Sequence, residues 1–244
     1  MTIAKPPWTK LGRRLESLCR KALFDFSLLE DKGPLSIALS GGKDSLTLLF
    51  LLKAILGHGF LDRKLIALHV SGAFSCGASI GESFLKPICQ DLGVELITLK
   101  TDQSLDKLNC YSCSRKRRSL IFNAAKEHGS QTIAFGHTRD DLSETLLLNL
   151  LQKGEFAGML PKTPMHRYGV TIIRPLIYVD EKEIIEFSKL HGFRRLTCQC
   201  PVGQTSRRKD VKNLIQDMAV HFPDSVKNLA QASLLYGSEK ASRL

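Results

Sequence analysis

Apolar and polar positions along the chain alternate between two periods. Short apolar runs bounded by glycine or charge predict five strands: "PLSIAL" (34–39), "KLIALHV" (64–70), "VELITLK" (94–100), "TIAFGH" (132–137) and "VTIIRPL" (170–176). The longer stretches between and after them read as helices: "LTLLFLLKAIL" (46–56), "SIGESFLKPICQDLG" (79–93), "SRKRRSLIFNAAKEHG" (114–129), "DDLSETLLLNLLQKG" (140–154) and "DEKEIIEFSKLHG" (180–192). Strands separated by helices at this spacing predict an α/β fold, a doubly wound, mainly parallel five-stranded sheet with right-handed crossovers. Ligands of such sheets bind at the carboxyl ends of the strands. Segment 153–169, "KGEFAGMLPKTPMHRYG", has glycines, prolines and no period, and reads as a long loop. The tail beyond about residue 205 reads as a small helical C-terminal appendage.

The first strand runs into "SGGKDS" (40–45) and then a helix. Gly41 and Gly42 lack Cβ atoms, so the backbone can turn sharply and present N–H groups to an anion. The helix start behind them adds unpaired donors and partial positive charge. Ser40 and Ser45 offer hydroxyls, and Lys43 a cation. A Walker A loop requires Ser or Thr after its lysine, where this chain has Asp44, and the G-x-G-x-x-G of a dinucleotide fold is absent. The stretch resembles the PP-loop, SGGxDS, of N-type ATP pyrophosphatases. That resemblance implies cleavage of ATP between its α and β phosphates, with AMP passed to an acceptor.

Composition changes the picture mainly through charge. The 244 residues, 43% hydrophobic and 24% charged, suit a globular domain with a sizeable core, but the net charge is +11. Lys and Arg gather in "SRKRRS" (114–119), "FRRL" (193–196) and "SRRKD" (206–210), which favours a polyanionic partner over solvated helix faces. No basic amphipathic helix, apolar leader or membrane-length apolar run is present, so a cytoplasmic protein without membrane association is expected. There thiols stay reduced, and paired cysteines point to metal or catalysis.

Two further stretches carry chemistry. In "AFGHTRDDLSET" (134–145), Gly136 permits close approach at a strand end, and Asp140 and Asp141 open a helix, as caps or as functional carboxylates. The stretch resembles the GHxxDDxxET segment of PP-loop enzymes that modify tRNA, matching at Gly136, His137, Asp140, Asp141, Glu144 and Thr145. Seven cysteines occur at 19, 76, 89, 110, 113, 198 and 200. "CYSC" (110–113), read as lying just before the basic helix, and "CQC" (198–200) are the paired sites; together they could close a zinc tetrahedron, or three of the four could hold an iron–sulfur cluster.

Here the chain resembles the TtcA-like tRNA sulfurtransferases, which make 2-thiocytidine in tRNA. The resemblance runs from SGGKDS to about residue 220 and is carried by "CYSCSRKRRS", "GHTRDD" and "IIRPL". Taken with the element pattern, the resemblance is read as a PP-loop domain over 34–200, flanked by an N-terminal helical extension (1–33) and a helical C-terminal segment (201–244). It implies ATP, Mg²⁺ and a [4Fe-4S] cluster as cofactors, with cluster ligands at Cys110 and Cys113. The third ligand is Cys200 or Cys198; the chain has C-x-C-P where the family has C-x-x-C, and the Cys-Pro dipeptide favours Cys200. Adenylating a pyrimidine C2 carbonyl would make AMP the leaving group for sulfur. Asp44 and Asp141 would organise magnesium and the reacting phosphate, and Lys43 would offset pyrophosphate charge. Arg117, one helical turn after Cys113, would face either the acceptor or a tRNA phosphate. The implied partners are tRNA and a sulfur donor such as a cysteine desulfurase; a homodimer is compatible with this reading. A lysidine synthetase, which needs no cysteine cluster, and a non-catalytic zinc-stapled tRNA-binding protein are the alternatives.

Overall fold

The first strand, β1 (Leu35–Ala38), continues through Leu39 and Ser40 into α2 (Lys43–Ile55), after an N-terminal helix α1 (Lys10–Asp25). The structure, a computed structural model, describes residues 3–72, 82–101, 110–193 and 207–237; at 110 and 111 it describes the backbone alone. The next elements are β2 (Leu65–Ser71), α3 (Glu82–Asp91), β3 (Glu95–Lys100), α4 (Cys110–Glu127), β4 (Thr132–Ala134) and α5 (Arg139–Lys153). The chain then forms β5 (Lys162–Met165), β6 (Val170–Ile173), α6 (Glu181–Leu190), α7 (Arg207–His221) and α8 (Ser225–Tyr236).

The sheet order is β3-β2-β1-β4-β6-β5, and every pairing is parallel except β5 with β6. The sheet thus has six strands where the sequence predicts five. The extra strand, β5, lies within the segment read as a loop. Its "KTPM" has no clear alternation, and Pro164 cannot donate to a ladder, a defect tolerated because β5 is an edge strand.

β2 shows why the sheet is covered on both faces, since Leu65 to Val70 are all buried. Leu65 and Ala67 pack with α1, α2, α3 and α6 through Leu15, Leu49, Leu85 and Phe187. Ile66, Leu68 and Val70 pack on the other face against Ile121, Phe122 and Ala125 of α4. Helix α2 is apolar on nearly every side, from Leu46 to Ile55, because it is sandwiched between the sheet and α1 and α6. In α1, Leu15, Cys19, Ala22 and Leu23 fall on one face by helical spacing, and the Thr9 hydroxyl caps its start by accepting from the Gly12 N–H at 3.2 Å.

Helices α7 and α8 pack on α5, with Leu147, Val211 and Ile215 forming a small apolar cluster. This docking brings α7 to the carboxyl edge of the sheet. Among the described residues no helix is long and apolar enough to cross a membrane.

Candidate active site

The connections from β1 run to β2 on one side, while β4 lies on the other, so the topology switches between β1 and β4. A cavity of about 560 Å³ opens there. It is lined by the residues just beyond β1 (Leu39, Ser40, Asp44, Ser45), β4 (Phe135, Gly136, His137, Asp141) and β6 (Arg174), with Cys113, Arg117 and Arg118 from α4 and Arg208 from α7.

The SGGKDS loop is held by its own hydroxyls. Ser45 Oγ accepts from the Gly41 N–H at 3.2 Å and donates to the Gly42 carbonyl at 3.1 Å, and Ser40 Oγ accepts from the Gly42 N–H at 3.3 Å. The two hydroxyls lie 3.0 Å apart. Gly41 has φ +83°, a conformation that requires glycine. Gly42 caps α2 without any side-chain hydrogen bond to the first turn. Such a helix start suits a phosphate, which would meet unpaired N–H groups and the positive end of the helix.

Lys43 turns from the cavity wall to a charge network. Its Nζ bonds both Asp44 carboxylate oxygens at 2.9 and 3.0 Å, and Glu181 Oε1 at 3.0 Å. Lys212 of α7 bonds the other Glu181 oxygen and stands 3.9 Å from Glu144. Burial lowers the Lys43 pKa, but Asp44 and Glu181 outweigh it and the net shift is upward. Burial pushes the Asp44 carboxyl up; Lys43 offsets this in part, while Asp141 and Glu181 add to it.

Asp141 Oδ2 accepts from the Thr138 N–H at 2.8 Å and its hydroxyl at 3.1 Å, capping α5. Its other oxygen faces Arg208 at 3.4 Å, so the carboxylate serves both as a cap and as part of the cavity wall. Asp140 points elsewhere, accepting from the Glu181 N–H at 2.7 Å and so tying α6 to α5. Glu144, buried beside Asp141, has its pKa raised to about 7, first by burial and then by that neighbour.

Helix α4 begins at Cys110. The CYSC pair therefore lies in its first turn, not ahead of the helix as the sequence suggests, because "CYSC" continues the helical register into "SRKRR". Half-buried Cys113 lines the cavity. Arg117, one turn on, also lines it and donates from Nη2 to the Val70 carbonyl at 3.3 Å. A helix start favours thiolates, so two cysteines in this turn suit a cluster or metal. The side chain of Cys110 and all of Cys198 and Cys200 lie outside the described residues.

The structure thus gathers Ser40, Asp44, Ser45, Cys113, Arg117, Gly136 and Asp141 around one cavity, with Gly41, Gly42 and Lys43 forming the loop behind it. Sequence reasoning missed Glu181, Lys212 and Arg174. Arg208 was visible only as one charge in a basic cluster. Glu181 reads as an ordinary acidic helix start, and only the packing of α7 pairs it with Lys212.

Residues 9–215 match the PP-loop domain family. A tRNA-cytidine(32) 2-sulfurtransferase 2 of Francisella tularensis subsp. tularensis is 37% identical over 232 residues, 91% of this chain and 90% of that one. A tRNA-cytidine(32) 2-sulfurtransferase of Vibrio cholerae is 32% identical over 234 residues, 92% of this chain and 74% of that one. The chain belongs to the PP-loop tRNA-cytidine(32) 2-sulfurtransferase family. Among solved structures, the U34-tRNA thiolase NcsA of Methanococcus maripaludis, solved with its [4Fe-4S] cluster, superposes with a TM-score of 0.76. It is 22% identical, and the match covers 91% of this chain and 76% of that one, a likeness of fold. Within this sulfurtransferase family member, the cavity walls are the sheet's carboxyl edge and the starts of α2, α4 and α5.

Proposed function

We propose that this chain is a tRNA sulfurtransferase that uses ATP to replace the C2 oxygen of a cytidine with sulfur. The observation that carries the reading is the single cavity shared by the SGGKDS loop, Asp141, and Cys113 with Arg117. In the first step the cytosine C2 oxygen attacks the α-phosphorus of ATP, the bond to the β-phosphate breaks, and pyrophosphate leaves. In the second a sulfur nucleophile adds at C2 and AMP leaves with the original oxygen.

The start of α2 would bind pyrophosphate, and Lys43 would balance its charge once drawn from Glu181. Asp44 and Asp141 would hold Mg²⁺ against the reacting phosphate. Arg117, fixed on the Val70 carbonyl, would orient the acceptor or its phosphate. Cys110, Cys113 and Cys200 would hold a [4Fe-4S] cluster, which would supply Lewis-acidic iron for the sulfur nucleophile. We place the reaction in the cytoplasm, with a cysteine desulfurase as the class of sulfur donor.

Mass spectrometry of tRNA nucleosides tests this reading. A strain lacking the chain should lose 2-thiocytidine, regain it with the wild-type gene, and not regain it with Asp44→Ala. Undiminished 2-thiocytidine in the deleted strain overturns the proposal.

A further inference from the structure

Arg174 follows β6 directly and lines the cavity, yet it is only 7% exposed. Its Nη1 donates to the Leu160 carbonyl and, at 2.9 Å, to Thr163 Oγ1, which fixes the guanidinium against β5. Both acceptors are neutral. Among the described residues the buried Nε has no hydrogen-bond partner. A buried cation without a counter-ion is costly, and the cost is removed when an anion binds beside it.

The surroundings sharpen this. Burial first, and then Arg118, lower the Arg174 pKa to about 10, and Asp141 opposes them; the group is still charged at neutral pH. Among the described residues, Arg117, Arg118, Arg174 and Arg208 line the cavity against two carboxylates, Asp44 and Asp141. β6 is two strands from β1 in the sheet, roughly 10 Å at ordinary strand spacing, so Arg174 addresses a different anion from the one at the start of α2.

We propose that Arg174 forms a second phosphate subsite, separate from the SGGKDS loop, that binds a phosphoryl oxygen of the bound substrates. The inference rests on the reading above, in which ATP and tRNA meet in this cavity. The phosphate belongs either to the nucleotide or to the tRNA backbone beside the acceptor base. Arginine is suited to both, since its fixed fork can donate two parallel bonds to one phosphate.

Binding of a non-hydrolysable ATP analogue and of a tRNA transcript, measured separately, distinguishes the sources. Arg174→Gln should weaken one of the two by about tenfold or more, the range of a lost charge-assisted bond. Arg174→Lys, which keeps the charge but not the fork, should restore only part of that binding. Thr163→Val, which loosens the guanidinium but keeps its charge, should weaken that binding less than Arg174→Gln does. Loss for the analogue assigns the subsite to the nucleotide, and loss for the transcript assigns it to the tRNA.

Unchanged binding of both by Arg174→Gln overturns the proposal, as does Thr163→Val weakening binding as much as Arg174→Gln. Wild-type protein that binds neither ligand overturns the functional reading instead. If Arg174→Gln does not fold, the arginine Nε–H resonance absent from the Arg174→Lys NMR spectrum decides. It should shift in wild type on adding one of the ligands, and a resonance moved by neither refutes the subsite.

Discussion

Gly136 at the end of β4 packs backbone to backbone against Asp44. A Cβ at position 136 would lie 3.0 Å from the Asp44 carbonyl carbon, 3.1 Å from its oxygen and 3.1 Å from the Ser45 nitrogen. No flexible side chain can yield there, so the SGGKDS loop itself would have to move. Gly136→Ala should therefore cost about 1–3 kcal/mol of stability by overpacking. It should also impair ATP-dependent pyrophosphate release more than tRNA binding. Thermal melts, pyrophosphate assays and tRNA binding check this, and wild-type pyrophosphate release by the variant would contradict it.

That contact also shows what was legible in the sequence. SGGKDS after a buried strand and GHTRDD at another strand end pointed to one site because carboxyl strand ends converge in a doubly wound sheet. The five long-pattern strands were readable from local period. The strand β5 was not, because its stability comes from pairing with β6 at the sheet edge and its proline masks the pattern. Glu181 and Lys212, which complete the network around Lys43, have no local signature, and Arg174 appeared only within a family-like "RPL". Tertiary packing, not sequence spacing, gives those three residues their roles.

Glu181 holds Lys43 on one side and Lys212 on the other. Burial alone would raise its pKa, but the two lysines outweigh burial and hold the carboxyl below its ordinary value. A lowered folded-state pKa stabilises the protein above the unfolded value and loses that contribution as pH falls through the folded one. Glu181→Gln should thus destabilise the protein at pH 7, by on the order of 1–3 kcal/mol. The difference from wild type should shrink in acid. Chemical denaturation at pH 7 and in the acid range checks the sign.

Glu144 should show the opposite trend. Its pKa is raised to about 7, so between the ordinary carboxylate range and pH 7 the folded chain binds a proton that the unfolded chain has released. Stability then falls as pH rises across that window and levels off above it. Glu144→Gln removes the ionisation. Relative to wild type it should gain stability between pH 5 and pH 8, less any contribution from the 3.9 Å contact with Lys212. A variant that becomes relatively less stable as pH rises across this window would contradict the assignment.

The cysteine predictions concern sulfur chemistry separately from ATP chemistry. Cys113 lies in the first turn of α4, on the wall of the cavity that also holds Asp44 and Asp141, and position 110 is in the same turn. On the proposed cluster reading two thiolates do not suffice, and the third would come from the 198–200 pair, the other paired site in the chain. Cys113→Ala and Cys110→Ala should each lose iron and 2-thiocytidine formation together. Both should keep ATP and tRNA binding, because the SGGKDS loop and the cationic walls are untouched. Only one of Cys198→Ala and Cys200→Ala should do the same, and the Cys-Pro dipeptide selects Cys200. Iron analysis and visible absorption of anaerobically purified variants check each outcome. If both downstream variants empty the site and the wild type carries zinc, the four thiolates close a tetrahedron and the sulfur route through these cysteines is wrong.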